Sequence, residues 1–248
     1  MVSVRRPGLN FNTETRVNEI ALSDPGARRI LEDAGVDYCC GGGKSLHDAC
    51  MRANVPAEVI LEQLRQNSRK AETEESRWKQ APLGELTRHI RERHHGYVRD
   101  VIPRLYGMLG KVREKHGSRH REAGEVEKLF CDVACEMQKH MQKEEQILFP
   151  YIDALERAAS GQGAIEPPFF QTVRNPIYSM MKEHDAAGEL VRQIRAASNA
   201  YCAPEDACTT FRAAYQELEQ FEKDLHLHVH LENNILFPRA VELEAATL

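Results

Sequence analysis

Two stretches of the chain pair a histidine with a glutamate at helical spacing: HMQKEEQILFP at 140–150 and HVHLENNILFP at 228–238. Six of the eleven positions coincide: the histidine, the glutamate four residues on, and Ile-Leu-Phe-Pro. Side chains four apart lie one turn apart on the same helix face. His140 and Glu144 therefore point together, and so do His228 and Glu232. Such a pair is either a hydrogen-bonded core contact or part of a metal shell.

The elements that must position these pairs read as helices. One apolar stripe runs through Phe130, Val133, Met137, His140, Glu144, Ile147 and Tyr151. A second runs through Phe211, Ala214, Leu218, Phe221, Leu225, His228, Glu232 and Ile235, and a third through Ile177, Met180, His184, Ala187, Val191 and Ile194. Each stripe marks the face that meets a bundle core. The remaining helix carries His94 and His95, and both fit a stripe: His95 with Val98, Ile102, Leu105 and Leu109, His94 with Tyr97, Val101 and Met108. Phase does not separate them. His95 precedes His140 by 45 residues and His184 precedes His228 by 44. Each half is thus a hairpin of one helix with an inward histidine and one with an inward His-x-x-x-Glu. Two such hairpins predict a pseudo-symmetric four-helix bundle.

Burying an unpaired carboxylate or imidazole costs on the order of several kcal/mol unless something pairs or ligates it. Four imidazoles and two carboxylates at one level of a bundle make a site for two metal ions. In the simplest arrangement each ion takes two histidines and both glutamates bridge the pair. A shell without thiolate suits iron, manganese or zinc. Open positions on a redox-active pair bind or reduce diatomic molecules, whereas zinc offers only Lewis-acid chemistry.

The chain has 248 residues, 42% hydrophobic and 29% charged, with a formal net charge of -5. That balance fits a globular all-α protein and gives no reason to expect nucleic acid as a partner. No apolar run reaches the length of a membrane span. The first residues, MVSVRRPGLNFNTETRV, lack the apolar stretch of a signal peptide. Seven irregularly spaced cysteines then read as reduced thiols, and the expected compartment is the cytoplasm. Residues 1–66 read as a small helical unit with patterns at Val17 to Leu22, Ala27 to Ala34 and Ala57 to Leu64. Residues 67–80 read as a polar connector, and 81–248 as the bundle, broken at 115–120, 159–168 and 199–208.

The two HxxxE helices with their ILFP tails, the segment MKEHDAAGEL and the turn GVDYCCGGGKSL resemble the repair-of-iron-centres family over nearly the whole chain. That family joins an N-terminal cysteine domain to a hemerythrin-like four-helix bundle. The resemblance implies a di-iron protein that repairs iron–sulfur clusters damaged by nitrosative or oxidative stress, with nitric oxide or oxygen as small ligands. It implies two iron ions, oxo- or hydroxo-bridged, on His95, His140, Glu144, His184, His228 and Glu232. An aromatic residue commonly precedes the family's first histidine ligand; His94 stands there in this chain. Two functions follow: cluster repair by supplying iron or reducing nitric oxide, or a sensor or carrier of oxygen, nitric oxide or iron without turnover. The cysteine domain favours repair.

Secondary features read as follows. Cys39 and Cys40, beside three glycines and Lys44, read as exposed, activated thiols for redox exchange or transfer. GGGKS at 41–45 lacks the spacing and the preceding strand of a phosphate loop. Cys131, Cys135, Cys202 and Cys208 read as incidental, and His226 and His230 as a solvated surface pair. Glu136 and Glu183 read as surface acids or as the lining of a path to the site.

Overall fold

The computed structural model describes residues 11–23, 25–39, 41–67 and 77–248; Cys40 and connector residues 68–76 lie outside them. Among the described residues there is no strand, only an isolated bridge between Arg16 and Ser45. None of their helices is long and apolar enough to cross a membrane. The chain divides into two compact units, Met1–Ala81 and Pro82–Leu248.

In the first unit, α1 (Val17–Ala21) packs on α2 (Pro25–Asp33), and α4 (Ala57–Asn67) packs on both α2 and α3 (Leu46–Ala53). Helix α3 is not apparent from hydrophobic periodicity. Its start is chemical: the Ser45 hydroxyl accepts from the Asp48 amide at 3.1 Å, satisfying an otherwise orphaned donor. The glycine-rich turn caps α1 in the same sense, because the Val17 and Asn18 amides donate to the Lys44 and Gly42 carbonyls at 3.1 and 3.0 Å. That approach demands glycine: a Cβ on Gly42 would stand 2.4 Å from the Tyr38 carbonyl oxygen. The end of the expected connector joins this unit, with Trp78 buried and the Lys79 ammonium donating to the Leu22 carbonyl at 3.1 Å.

The second unit is built from four long helical rods. The first comprises α5 (Leu83–His89), a π-helical turn at Ile90–His95 and α6 (Gly96–His116). The second comprises α7 (Glu122–Lys143), a π turn at Glu144–Leu148 and α8 (Phe149–Ala159). The third is α9 (Arg174–Ala197), unbroken. The fourth comprises α10 (Thr209–Leu231), a π turn at Glu232–Leu236 and α11 (Phe237–Thr247). Helix α6 packs against α7 and α10, and α7 packs against α9, enclosing the stripes.

The π turns at Glu144–Leu148 and Glu232–Leu236 are local consequences of the repeated Phe-Pro. Pro150 and Pro238 have no amide hydrogen, so the α-helical bond to the residue four back is unavailable. The amides of Phe149 and Phe237 reach five back instead, to the Glu144 and Glu232 carbonyls. The extra residue shifts the helical phase. Ile147, placed on the inward stripe by its spacing, is half-buried, and Leu148 and Phe149 take the interior positions.

Candidate metal centre

The wide turn at Ile90–His95 turns two consecutive histidines inward: His94 and His95 are both buried. Only His95 reaches the centre, where its Nε2 lies 3.2 Å from His228 Nε2 and 3.4 Å from Glu144 Oε2. On the other side His140 and His184 meet, Nε2 to Nε2, at 3.0 Å. Glu144 Oε2 is 3.3 Å from His140 Nε2, so one carboxylate spans both histidine pairs. Glu232 does the same from the opposite hairpin, with Oε1 2.9 Å from His228 and Oε2 3.1 Å from His184. Two four-donor sets result: His95, Glu144, His228 and Glu232; and His140, Glu144, His184 and Glu232. They share both carboxylates, and every member is buried.

Polar groups behind the rings hold three of the four imidazoles. The Nδ1–H of His95 donates to Glu145 at 2.6 Å, and Arg99 in turn donates to Glu145 at 2.5 Å. The Nδ1–H of His140 donates to Glu183 at 3.0 Å, and Glu183 also takes the Lys143 ammonium. The Nδ1–H of His184 donates to the Asn233 amide oxygen at 2.9 Å. A proton fixed on Nδ1 leaves a lone pair on Nε2 aimed at the centre. Phe149 lies nearly parallel to the His95 ring at 5.7 Å, and Phe237 to the His184 ring at 5.9 Å, which blocks ring rotation.

These donors fit cations. Adjacent ligands about 2.1 Å from one ion stand about 3 Å apart, the spacing of the Nε2 pairs. Without positive charge between them, the facing lone pairs of His140 and His184 repel. Among the described residues, neither oxygen of the fully buried Glu144 finds a hydrogen-bond donor. The electrostatics respond accordingly. Burial opposes charge on His140, yet the Glu144 carboxylate beside it and the hydrogen-bonded Glu183 carboxylate behind it push its pKa up to about 10. Burial works against Glu232 as well, but His228 and His184 hold it well below the carboxylate range. Glu183, hydrogen-bonded first by His140, is held down to about 2.

Other candidate residues fall elsewhere. His94 lies parallel to the His228 ring with centroids 5.5 Å apart, and its Nδ1–H donates to Asp224 at 3.1 Å. The expectation of a solvated His226 and His230 pair fails. His230 is buried and its Nδ1 accepts from the Asn234 amide at 3.0 Å; His226 is half-buried. The α5 helix packs against the π turn that follows α10. Glu136 is exposed, while Glu183 anchors a histidine. In the first unit Cys39 is 4% exposed rather than open, with its Sγ 3.3 Å from Asp37 Oδ1. Cys135, Cys202 and Cys208 are exposed, and burial pushes the Cys131 thiol pKa up. The anchors Glu145 and Asn233 escaped the sequence reading, although each directly follows a repeated glutamate.

Residues 86–240 match the family described as hemerythrin HHE cation binding domain, and residues 13–68 match ScdA_N, a domain of unknown function. The chain is 37% identical over 226 residues to the iron-sulfur cluster repair protein YtfE of Escherichia coli O8 (strain IAI1), covering 91% of this chain and 96% of that protein. The same identity and coverage hold for the protein of that name in Shigella boydii serotype 4 (strain Sb227). The one in Citrobacter koseri is 36% identical over 225 residues.

Proposed function

Because this chain belongs to the hemerythrin HHE cation-binding family, we propose that its bundle holds two iron ions and serves the repair of damaged iron–sulfur clusters. The observation that carries this reading is the pair of buried four-donor sets sharing Glu144 and Glu232. The relatives named for iron–sulfur cluster repair are similar across both matched regions. In this reading His95 and His228 would hold one ion and His140 and His184 the other, with Glu144 and Glu232 offered to both. A nitrogen and carboxylate shell without thiolate, with two histidines per ion, suits iron and leaves positions open. When bound, the iron pair supplies one-electron chemistry and a place for a small ligand such as nitric oxide or oxygen.

The chain's own residues set how firmly that pair is held. Glu145, Glu183 and Asn233 orient three imidazoles, and Phe149 and Phe237 keep two of the rings from turning. Two histidines per ion, with every carboxylate shared, is a modest set of exclusive ligands. That favours release of iron to a damaged iron–sulfur protein over permanent storage. Residues 1–66, with Cys39 and Cys40, serve in this proposal as a separate thiol unit that assists the transfer once Cys39 is uncovered.

The test is to mix reduced, iron-loaded protein with an iron–sulfur dehydratase inactivated by nitric oxide and follow recovery of its activity. Recovery should require His140 and His228. Retention of all iron with no recovery, together with reversible nitric oxide binding, would overturn repair in favour of a sensor or carrier.

A further inference from the structure

The two hairpins are related residue by residue: His95 corresponds to His184, His140 to His228, and Glu144 to Glu232. The relation extends to the groups behind the rings. Glu145 and Asn233 each directly follow a shared glutamate, and each accepts the Nδ1–H of the single inward histidine, His95 or His184. Glu183 directly precedes His184 and accepts from His140. The residue that should do the same for His228 directly precedes His95, and it is His94.

His94 does not take that role. The π turn at Ile90–His95, which α9 lacks at His184, carries His94 inward until its ring lies at 7° to that of His228. Its Nδ1–H is committed to Asp224. Among the described residues, His94 Nε2 and His228 Nδ1 are both buried and without a hydrogen-bond partner. His228 is therefore the one imidazole of the four with no acceptor behind it among the described residues, and its Nε2 lies 2.9 Å from Glu232.

We propose that His94 makes the two metal positions unequal, so that the ion at His95 and His228 is the one the protein gives up first. This rests on the di-iron reading above and adds to it which ion is exchangeable and which residue decides. Loss of an outer hydrogen-bond partner weakens metal binding by roughly 10- to 100-fold. Removing the first ion leaves the second with His140, His184 and both carboxylates, so the two departures are separable.

The experiment challenges the iron-loaded full-length protein with excess ferrous chelator and follows the release of iron. Two equal phases are expected, with rates differing by roughly tenfold or more. Iron-edge anomalous diffraction from half-depleted crystals should place the remaining ion between His140 and His184. His94→Glu, which restores the carboxylate found in the other hairpin, should slow the fast phase toward the slow one. Should His94→Glu fail to fold beside Asp224, Glu183→Ala removes the corresponding anchor at a half-exposed position and should speed the slow phase. A protein that binds fewer than two irons defeats the di-iron reading itself. Two bound irons leaving in one phase, a remaining ion between His95 and His228, or phases untouched by both substitutions overturn the role of His94 alone.

Discussion

Stripping the metal and raising the pH from 6.5 to 10 should progressively weaken the bundle. In the metal-free protein the charge between the facing imidazoles must come from protons. His140 is buried, which opposes its charge, but Glu144 and Glu183 more than compensate, and its pKa rises from the ordinary 6.5 to about 10. The unfolded chain releases that proton near 6.5 and the folded chain near 10. The stabilisation is therefore complete below 6.5 and is lost as the pH climbs through 10. Each tenfold difference in proton affinity carries about 1.4 kcal/mol, so about 5 kcal/mol is at stake. Against a total domain stability of about 5–15 kcal/mol, that is a large share. It corresponds to a fall of about 10–20 °C in Tm for a unit of this size. Iron-loaded protein should hold its Tm across the same window, because the cation stands where the proton stood. Circular dichroism melts of both forms at pH 6.5, 8 and 9.5 measure the difference. A metal-free Tm that stays level or rises refutes the electrostatic argument; an equal fall in the loaded protein refutes the exchange of proton for cation.

Elemental analysis should find at least one iron per chain lost in His140→Ala and in His228→Ala, and full iron in His226→Ala, whose half-buried ring lies outside both donor sets. Glu244 accepts from the Tyr151 hydroxyl at 2.8 Å, the Thr172 hydroxyl at 2.5 Å and the Val173 amide at 2.7 Å, tying the segment before α9 to α11. Glu244→Ala should cost about 3 kcal/mol in a urea melt, with iron content unchanged. Gly42→Ala would bring a methyl group against the Tyr38 carbonyl and Asn18. Protease digestion should open the first unit of that variant while the bundle stays intact and loaded. The double variant Cys39→Ser, Cys40→Ser should keep both irons; iron loss there contradicts a centre built from bundle residues alone.

The four rods and their breaks were legible because apolar residues recur at the helical period and glycine and proline mark the ends. The convergence of six polar side chains was legible because a repeated phrase on an inward stripe leaves its histidine and glutamate nowhere else to point. Periodicity reports which face is apolar, and little more. It could not choose between His94 and His95, because both are inward once the turn widens to five-residue bonding. It put Ile147 inside because it assumed an unbroken helix through Glu144, whereas the proline two residues beyond Leu148 forces the phase to slip. Cys39 read as open because glycines suggest flexibility, but here they let the turn close on α1. The partners of the buried imidazoles were out of reach for a different reason. Each hydrogen bond joins side chains from rods far apart in sequence, such as His95 with Glu145 and His184 with Asn233. Only the packing of the rods decides which atoms meet, and that packing leaves His228 without the anchor that its three counterparts have.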